Sequence, residues 1–224
     1  MQTATNKTEI INFHGWTMRV RQSAVENPKV LLMLHGITGD ENSMWVFGRK
    51  FSPSYLILSP RAPFPAQPFG YSWRDVEKYP LQNDFGKPAL HMLEESAQAL
   101  IRLVDEYTTS LKIEAHLFDA VGFSQGAAMV SVLGLVFPNR IRKMAVLAGF
   151  VPLGLEEYIA QKPLENKKVF VAHGTKDETV TIDRAYEAVA LFQQAGADVT
   201  FVEDEVGHKL GSNGMKALEE FLQY

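Results

Sequence analysis

The sequence predicts an α/β fold with a mostly parallel central sheet and helices on both faces. Three observations predict it. Short continuous apolar runs recur, the clearest being Val30-Leu31-Leu32-Met33-Leu34, and such runs fit strands covered on both faces. Between them lie stretches with apolar residues at helical spacing. The two kinds alternate, and that alternation implies strands joined by helical crossovers.

In chain order, Ile10–Phe13 and Trp16–Val20 flank His14-Gly15, which predicts a leading β-hairpin. Val30–Leu34 follows, then Tyr55–Leu58, Leu117–Phe123, Met144–Leu147, Val169–Ala172 and Val199–Val202 as further strands. Asp119 intrudes on the apolar run of Leu117–Phe123. Ala89–Tyr107 carries Leu90, Leu93, Ala97, Leu100, Ile101 and Val104 in a helical stripe. Gln125–Val136 is small and apolar, which predicts a buried helix. Ile182–Gln194 is amphipathic with Gly196 as its stop, and Lys216–Leu222 predicts a last short helix. No linker divides the sequence, so one domain is expected over 1–224. One segment breaks the alternation. Six of the eleven prolines fall between Pro60 and Pro88, interleaved with Phe64, Phe69, Tyr71, Trp73 and Tyr79. Long excursions of this kind are often functional. It reads either as a cover over the sheet edge or as an apolar wall beside a site, with Trp73, Phe69 and Tyr71 as candidate substrate contacts.

Composition narrows the function. The chain has 224 residues, 46% of them hydrophobic and 21% charged, the balance of a globular protein. A net charge of −4 argues against a nucleic-acid partner, which calls for a basic face. There is no cysteine, which excludes disulfides, thiolate metal sites and a cysteine nucleophile. Met1–Thr8 lacks the basic-then-apolar order of a signal peptide. No stretch is apolar enough for stable membrane insertion. A cytoplasmic protein is expected, with a homodimer left open.

Gly122-Phe123-Ser124-Gln125-Gly126 matches G-x-S-x-G. The motif puts a serine on a sharp strand-to-helix turn, where its flanking glycines let the turn close and the hydroxyl stand above the sheet. Val121 ends a strand-like run and Ala127-Ala128 opens the small-residue helix, as the motif requires. Ser124 is therefore the candidate nucleophile. Serine needs a base, and on this fold the order is serine, acid, histidine. His173 and His208 are the histidines after Ser124. His173 ends a strand and reads as structural. His208 lies in a loop before the last helix and is the candidate base. Asp177, just after the strand Val169–Ala172, is the candidate acid that holds the imidazole tautomer; Glu178, Asp183 and Asp204 are the alternatives. Acyl transfer also needs two N–H donors for the developing oxyanion. Gln125 supplies one. His35-Gly36-Ile37-Thr38-Gly39-Asp40 supplies the other, with Ile37 the first choice and Thr38 the second.

Leu34-His35-Gly36, the Gly-Phe-Ser-Gln-Gly elbow, His173-Gly174-Thr175-Lys176-Asp177 and Gly207-His208 together resemble the small phospholipase/carboxylesterase family of α/β-hydrolases, which includes the acyl-protein thioesterases. Trp73-Arg74-Asp75 is similar to the end of that family's Pro-rich segment. The resemblance runs from about Val30 to the C-terminus. It implies a minimal α/β-hydrolase without a large cap domain, acting on small acyl esters, thioesters or lysophospholipids, with no cofactor and no metal. The loop after Leu34 places its glycines differently from the thioesterases, and Asp119 stands where the strand is normally apolar. Two other readings remain: a peptidase or amidase on the same fold, and a non-catalytic binding protein built on it.

Overall fold

The computed structural model describes residues 7–80 and 87–223. Most of the polar N-terminal stretch, and residues 81–86 of the Pro-rich segment, lie outside the described residues. The leading hairpin forms as β1 (Thr8–Phe13) and β2 (Trp16–Arg21), antiparallel around Asn12↔Thr17 and Phe13↔Trp16. Next come β3 (Lys29–Leu34), the short helix α1 (Trp45–Gly48) and β4 (Tyr55–Pro60). The Pro-rich excursion contains a two-residue ladder, β5 (Phe64–Pro65) with β6 (Tyr71–Ser72). Then follow α2 (Glu94–Ser110), β7 (Phe118–Phe123), α3 (Gln125–Val136) and β8 (Ile141–Leu147). The chain continues through α4 (Glu156–Ala160), β9 (Lys168–Gly174), α5 (Ile182–Gln194), β10 (Asp198–Asp204) and α6 (Ser212–Gln223).

Eight strands form one sheet in the order β1-β2-β4-β3-β7-β8-β9-β10. Pairing is antiparallel from β1 to β4 through β2, and parallel from β4 to β10. The alternation within β3 explains its unbroken apolar run. Val30, Leu32 and Leu34 face a cluster built with α2 and α3, while Leu31 and Met33 face a second cluster with α1 and α6. Both faces are thus covered, so neither set of side chains can be polar. Helix α3 is buried from Gln125 to Leu135, which is why it carries no polar stripe.

Several boundaries differ from the sequence expectation: α2 starts at Glu94 after a 3-10 turn over Leu90–Met92 and runs to Ser110, β9 and β10 are each longer, and two further shifts have polar causes. β8 starts at Ile141 rather than Met144, because Arg142 and Lys143 interrupt the apolar pattern yet spend their charges inside the structure. Helix α6 starts at Ser212 rather than Lys216, because the Asp204 carboxylate accepts the Gly214 N–H at 2.8 Å and caps the first turn.

Asp119 finds its explanation at the end of the sheet opposite Ser124. Its carboxylate is fully buried. It accepts the Tyr55 hydroxyl at 2.6 Å, Nε of Arg142 at 2.9 Å, and a further bond from Nη2 of Arg142. Burial, and then the Asp119 charge, pushes the Tyr55 phenol upward, so it stays protonated as the donor. The same hydroxyl lies 2.9 Å from the Leu222 carbonyl, and Nζ of Lys143 donates to the Phe221 carbonyl at 2.7 Å. The cluster therefore meets carbonyls of the last turn of α6, which have no partner within the helix. Replacing Asp119 by Ala leaves the Arg142 guanidinium without its carboxylate and Tyr55 with only the Leu222 carbonyl, and is expected to cost about 3 kcal/mol in urea unfolding. The double replacement Asp119→Leu with Arg142→Met is expected to cost less than the sum of the singles.

Candidate active site

The elbow joins β7 to α3 through a single residue. Ser124 has φ 54 and ψ −116, a region an L-residue occupies only when its surroundings hold it there. Its N–H donates to the Leu147 carbonyl at 2.9 Å, and its own carbonyl accepts Ala127 and Ala128 as the first bonds of the helix. The glycines of the motif are dictated by contact distance. A Cβ on Gly122 would lie 2.1 Å from the Gly126 carbonyl oxygen, and one on Gly126 would lie 2.1 Å from that of Leu34. The helix can start this close to β3 and β7 only with hydrogen at both positions. Gln125 follows as the first residue of α3, where helix geometry leaves its N–H without a partner.

The loop after β3 faces this N–H. The Thr38 N–H donates to the Tyr71 carbonyl at 3.0 Å, and the Gly39 N–H to the Gly36 carbonyl at 3.0 Å. Among the described residues the Ile37 N–H has no acceptor, so of the two expected donors it is Ile37 that is free. His35 shapes the turn beneath. Its Nε2 accepts the Ala62 N–H at 3.0 Å, so the ring proton sits on Nδ1, which donates to the Gly36 carbonyl at 2.7 Å.

Among the described residues, the aromatics of the Pro-rich excursion do not form the wall that its composition suggested. Trp73 is fully buried and donates through Nε1 to the His35 carbonyl at 2.7 Å. Tyr71 braces the Ile37 loop through its carbonyl and stacks under the Arg61 guanidinium, while Arg61 pairs with Glu41 at 2.7 Å. Phe69 is 67% exposed. None of the three lines a cavity at Ser124. The reason is geometric: Trp73 and Tyr71 turn their backbone groups and the indole N–H toward the site loops and pack behind them, while Phe69 faces solvent. Gln125 completes the brace. Its Oε1 accepts the Trp73 N–H at 2.9 Å and its Nε2 donates to Oγ of Ser72 at 3.0 Å.

On the other side of Ser124, Nδ1 of His208 lies 2.7 Å from Oδ2 of Asp177. Asp177 is buried, and its Oδ1 accepts the N–H groups of Thr179 and Val180, each at 2.9 Å. That turn, at the end of β9, fixes the carboxylate before the imidazole arrives. His173 stands behind it, donating through Nε2 to the Val180 carbonyl at 2.7 Å with Asp177 Oδ2 at 3.3 Å. Of the other acids, Asp204 is spent on α6, while Glu178 and Asp183 are exposed. The His208 ring packs on Phe123 at 4.9 Å between centroids. Ser124 and His208 share one cavity of about 280 Å³, with Ile37, Gln125, Phe123, Phe150, Pro88, Val180, Thr179 and Arg74 also on its walls. Among the described residues the Ser124 hydroxyl makes no hydrogen bond; such contacts often tighten only with substrate bound. A second, more open cavity of about 500 Å³ adjoins it past Ile37 and Phe123, lined by Met44, Val46, Phe47, Lys209 and Leu210.

Phe150, Val180, Arg74 and the Gln125 side chain escaped the sequence reading. The first two sit in the loops that follow β8 and β9, where open parallel sheets place their ligands, so strand ends were the available signal. Among the described residues no cluster of three metal-binding side chains occurs, and no helix is long and apolar enough to cross a membrane.

The parallel sheet, the elbow at the end of β7 and the helices on both faces define an α/β-hydrolase. The chain belongs to the phospholipase/carboxylesterase family, whose model it matches over residues 17–224, and it is therefore a hydrolase of the carboxylesterase type. It is similar to carboxylesterase SOBER1 of Arabidopsis thaliana, 26% identical over 207 residues, with 86% of this chain and 89% of that one covered. It is also similar to acyl-protein thioesterase 1 of Debaryomyces hansenii, 26% identical over 80% of this chain and 82% of that one. In structure it resembles a carboxylesterase from Mesorhizobium loti, with a TM-score of 0.79, 20% identity, and 96% and 98% of the two chains covered.

Two outcomes follow from this geometry. Gln125→Ala strands the buried Trp73 N–H, and urea unfolding is expected to show a loss of about 2 kcal/mol. Desolvation pulls the buried His35 and His173 below their ordinary pKa, so both stay neutral where an unfolded histidine is charged. Below about pH 6.5 the unfolded chain then binds more protons, and stability falls on acidification by up to about 1.4 kcal/mol per pH unit for each histidine. Unfolding midpoints measured from pH 7.5 to 5 are expected to decline accordingly.

Proposed function

We propose that the chain hydrolyses carboxylic esters, and thioesters of the same acyl groups, through an acyl-enzyme on Ser124. The observation that carries this reading is the 2.7 Å contact of His208 Nδ1 with Asp177 beside a cavity that His208 shares with the elbow serine. With Nδ1–H engaged by the carboxylate, Nε2 is the basic nitrogen. It takes the proton of Oγ as Oγ attacks the acyl carbon, and Asp177 stabilises the imidazolium that results. The tetrahedral oxyanion is met by the N–H groups of Ile37 and Gln125, strengthened by the positive end of α3. His208 then passes its proton to the leaving oxygen or sulfur, the acyl group stays on Ser124, and a water repeats the sequence in reverse to release the acid. A cavity of about 280 Å³ lies at the small end of ligand sites and suits a short acyl group. Curated relatives named as a carboxylesterase and an acyl-protein thioesterase support the same bond classes.

Ser124→Ala is the direct test. Turnover of p-nitrophenyl butanoate is expected to fall by at least about 1,000-fold, with loss of fluorophosphonate labelling. Turnover unchanged from the parent protein overturns the reading.

A further inference from the structure

Arg74 has no place in the reaction just described, yet it lines the cavity that contains Ser124. It is 6% exposed. Its Nε has no partner, and Nη1 reaches only the sulfur of Met92 at 3.9 Å. Among the described residues no carboxylate lies within ion-pair distance of it. Several other guanidiniums are better held: Arg142 pairs with Asp119, Arg61 with Glu41, and Arg21, though its Nε is also unpartnered, donates to the carbonyls of Gly48, Phe51 and Ser52. Burial draws the Arg74 pKa down, but a guanidinium remains charged in proteins. A buried charge without a partner is strongly unfavourable, and among the described residues no carboxylate lines the cavity to offset it.

We propose that Arg74 recognises an anionic group of the substrate, and that the protein acts on esters whose acyl group ends in a carboxylate, the monoesters of short dicarboxylic acids. This rests on the reading of Ser124 as nucleophile. The planar fork of the guanidinium matches a carboxylate in two parallel hydrogen bonds. Phe150, Pro88 and Val180 supply the apolar walls for the methylenes between the two ends. The charge belongs to the acyl side. His208 protonates the leaving oxygen, so the alcohol departs past His208 toward the second cavity, which its neighbours Lys209 and Leu210 line. Arg74 lines the first cavity and not the second. Its backbone is held by Ser72, whose Oγ accepts both the Arg74 N–H at 3.2 Å and the Gln125 side chain.

The test compares monomethyl glutarate with dimethyl glutarate in a pH-stat, with butanoyl-glycolate against ethyl butanoate as the arm that places the charge on the alcohol. The parent protein is expected to favour monomethyl over dimethyl glutarate by at least about 10-fold in kcat/KM, and Arg74→Met to reduce that ratio by at least about 30-fold, chiefly through KM. Arg74→Lys is expected to restore part of it. Free glutarate should inhibit the parent competitively and Arg74→Met much less. Because Met removes an uncompensated charge, the thermal midpoint of Arg74→Met is expected to rise, whereas a purely structural arginine would lower it. A parent preference for the neutral diester, a preference that follows the alcohol-side charge, or an equal loss on both glutarates overturns the proposal. Ser124→Ala on the same substrates separates the two readings: if it is inactive while the charge preference is absent, only the assignment of Arg74 fails.

Discussion

The approach of Gly126 to the Leu34 carbonyl is the contact on which the site depends. It lets α3 begin within van der Waals distance of β3, so the loop leaving β3 and the first turn of α3 face each other across the Ser124 hydroxyl. Had α3 been held off by one methyl group, Ile37 and Gln125 could not aim at a common point. The cost is carried in the backbone of Ser124, at φ 54, and offset by the depth at which α3 is buried between β7 and β8.

Around this contact the protein separates two tasks. The Pro-rich excursion keeps the loop after β3 in shape: Gln125 grips Ser72 and Trp73, Trp73 grips His35, and His35 sets the turn at Gly36. The loops after β9 and β10 keep His208 in place, with Asp177 anchored by backbone amides as well as by His208. The halves face each other across the serine and Phe123. Each is a chain of short-range hydrogen bonds among buried groups, where leaving one member unpaired costs more than the bond itself contributes.

Much of this was legible in the sequence because it depends on order and spacing. Val30–Leu34 reads as a doubly covered strand whichever helices cover it. Ser124, Asp177 and His208 stand out as candidates by residue type and by their positions after strands, and the fold brings Asp177 against His208 and His208 to the cavity of Ser124. What escaped depends on direction. Trp73, Phe69 and Tyr71 have the right chemistry for an acyl wall, but one is buried behind a loop, one braces that loop, and one faces solvent. Asp119 looks like an interruption until the side chains of Tyr55 and Arg142, from strands on either side, are seen to converge on it. Arg74 is the sharpest case, since nothing in Trp73-Arg74-Asp75 tells which side chain turns inward, whereas the fold buries Arg74 and turns Asp75 toward its own local turn with Glu77 and Lys78.

Helix α6 joins the two ends of the molecule. Its first turn is capped by Asp204, shortly after the loop of His208, and its last carbonyls are met by Tyr55 and Lys143 at the far edge of the sheet. Twelve residues make a rod about 18 Å long, pinned at both tips. Such a rod passes on displacement more readily than it absorbs it. Tyr55 and Lys143 hold the last turn of α6 while Asp204 holds its first, so the loop that carries His208 runs between two anchored points, the end of β10 and the start of α6.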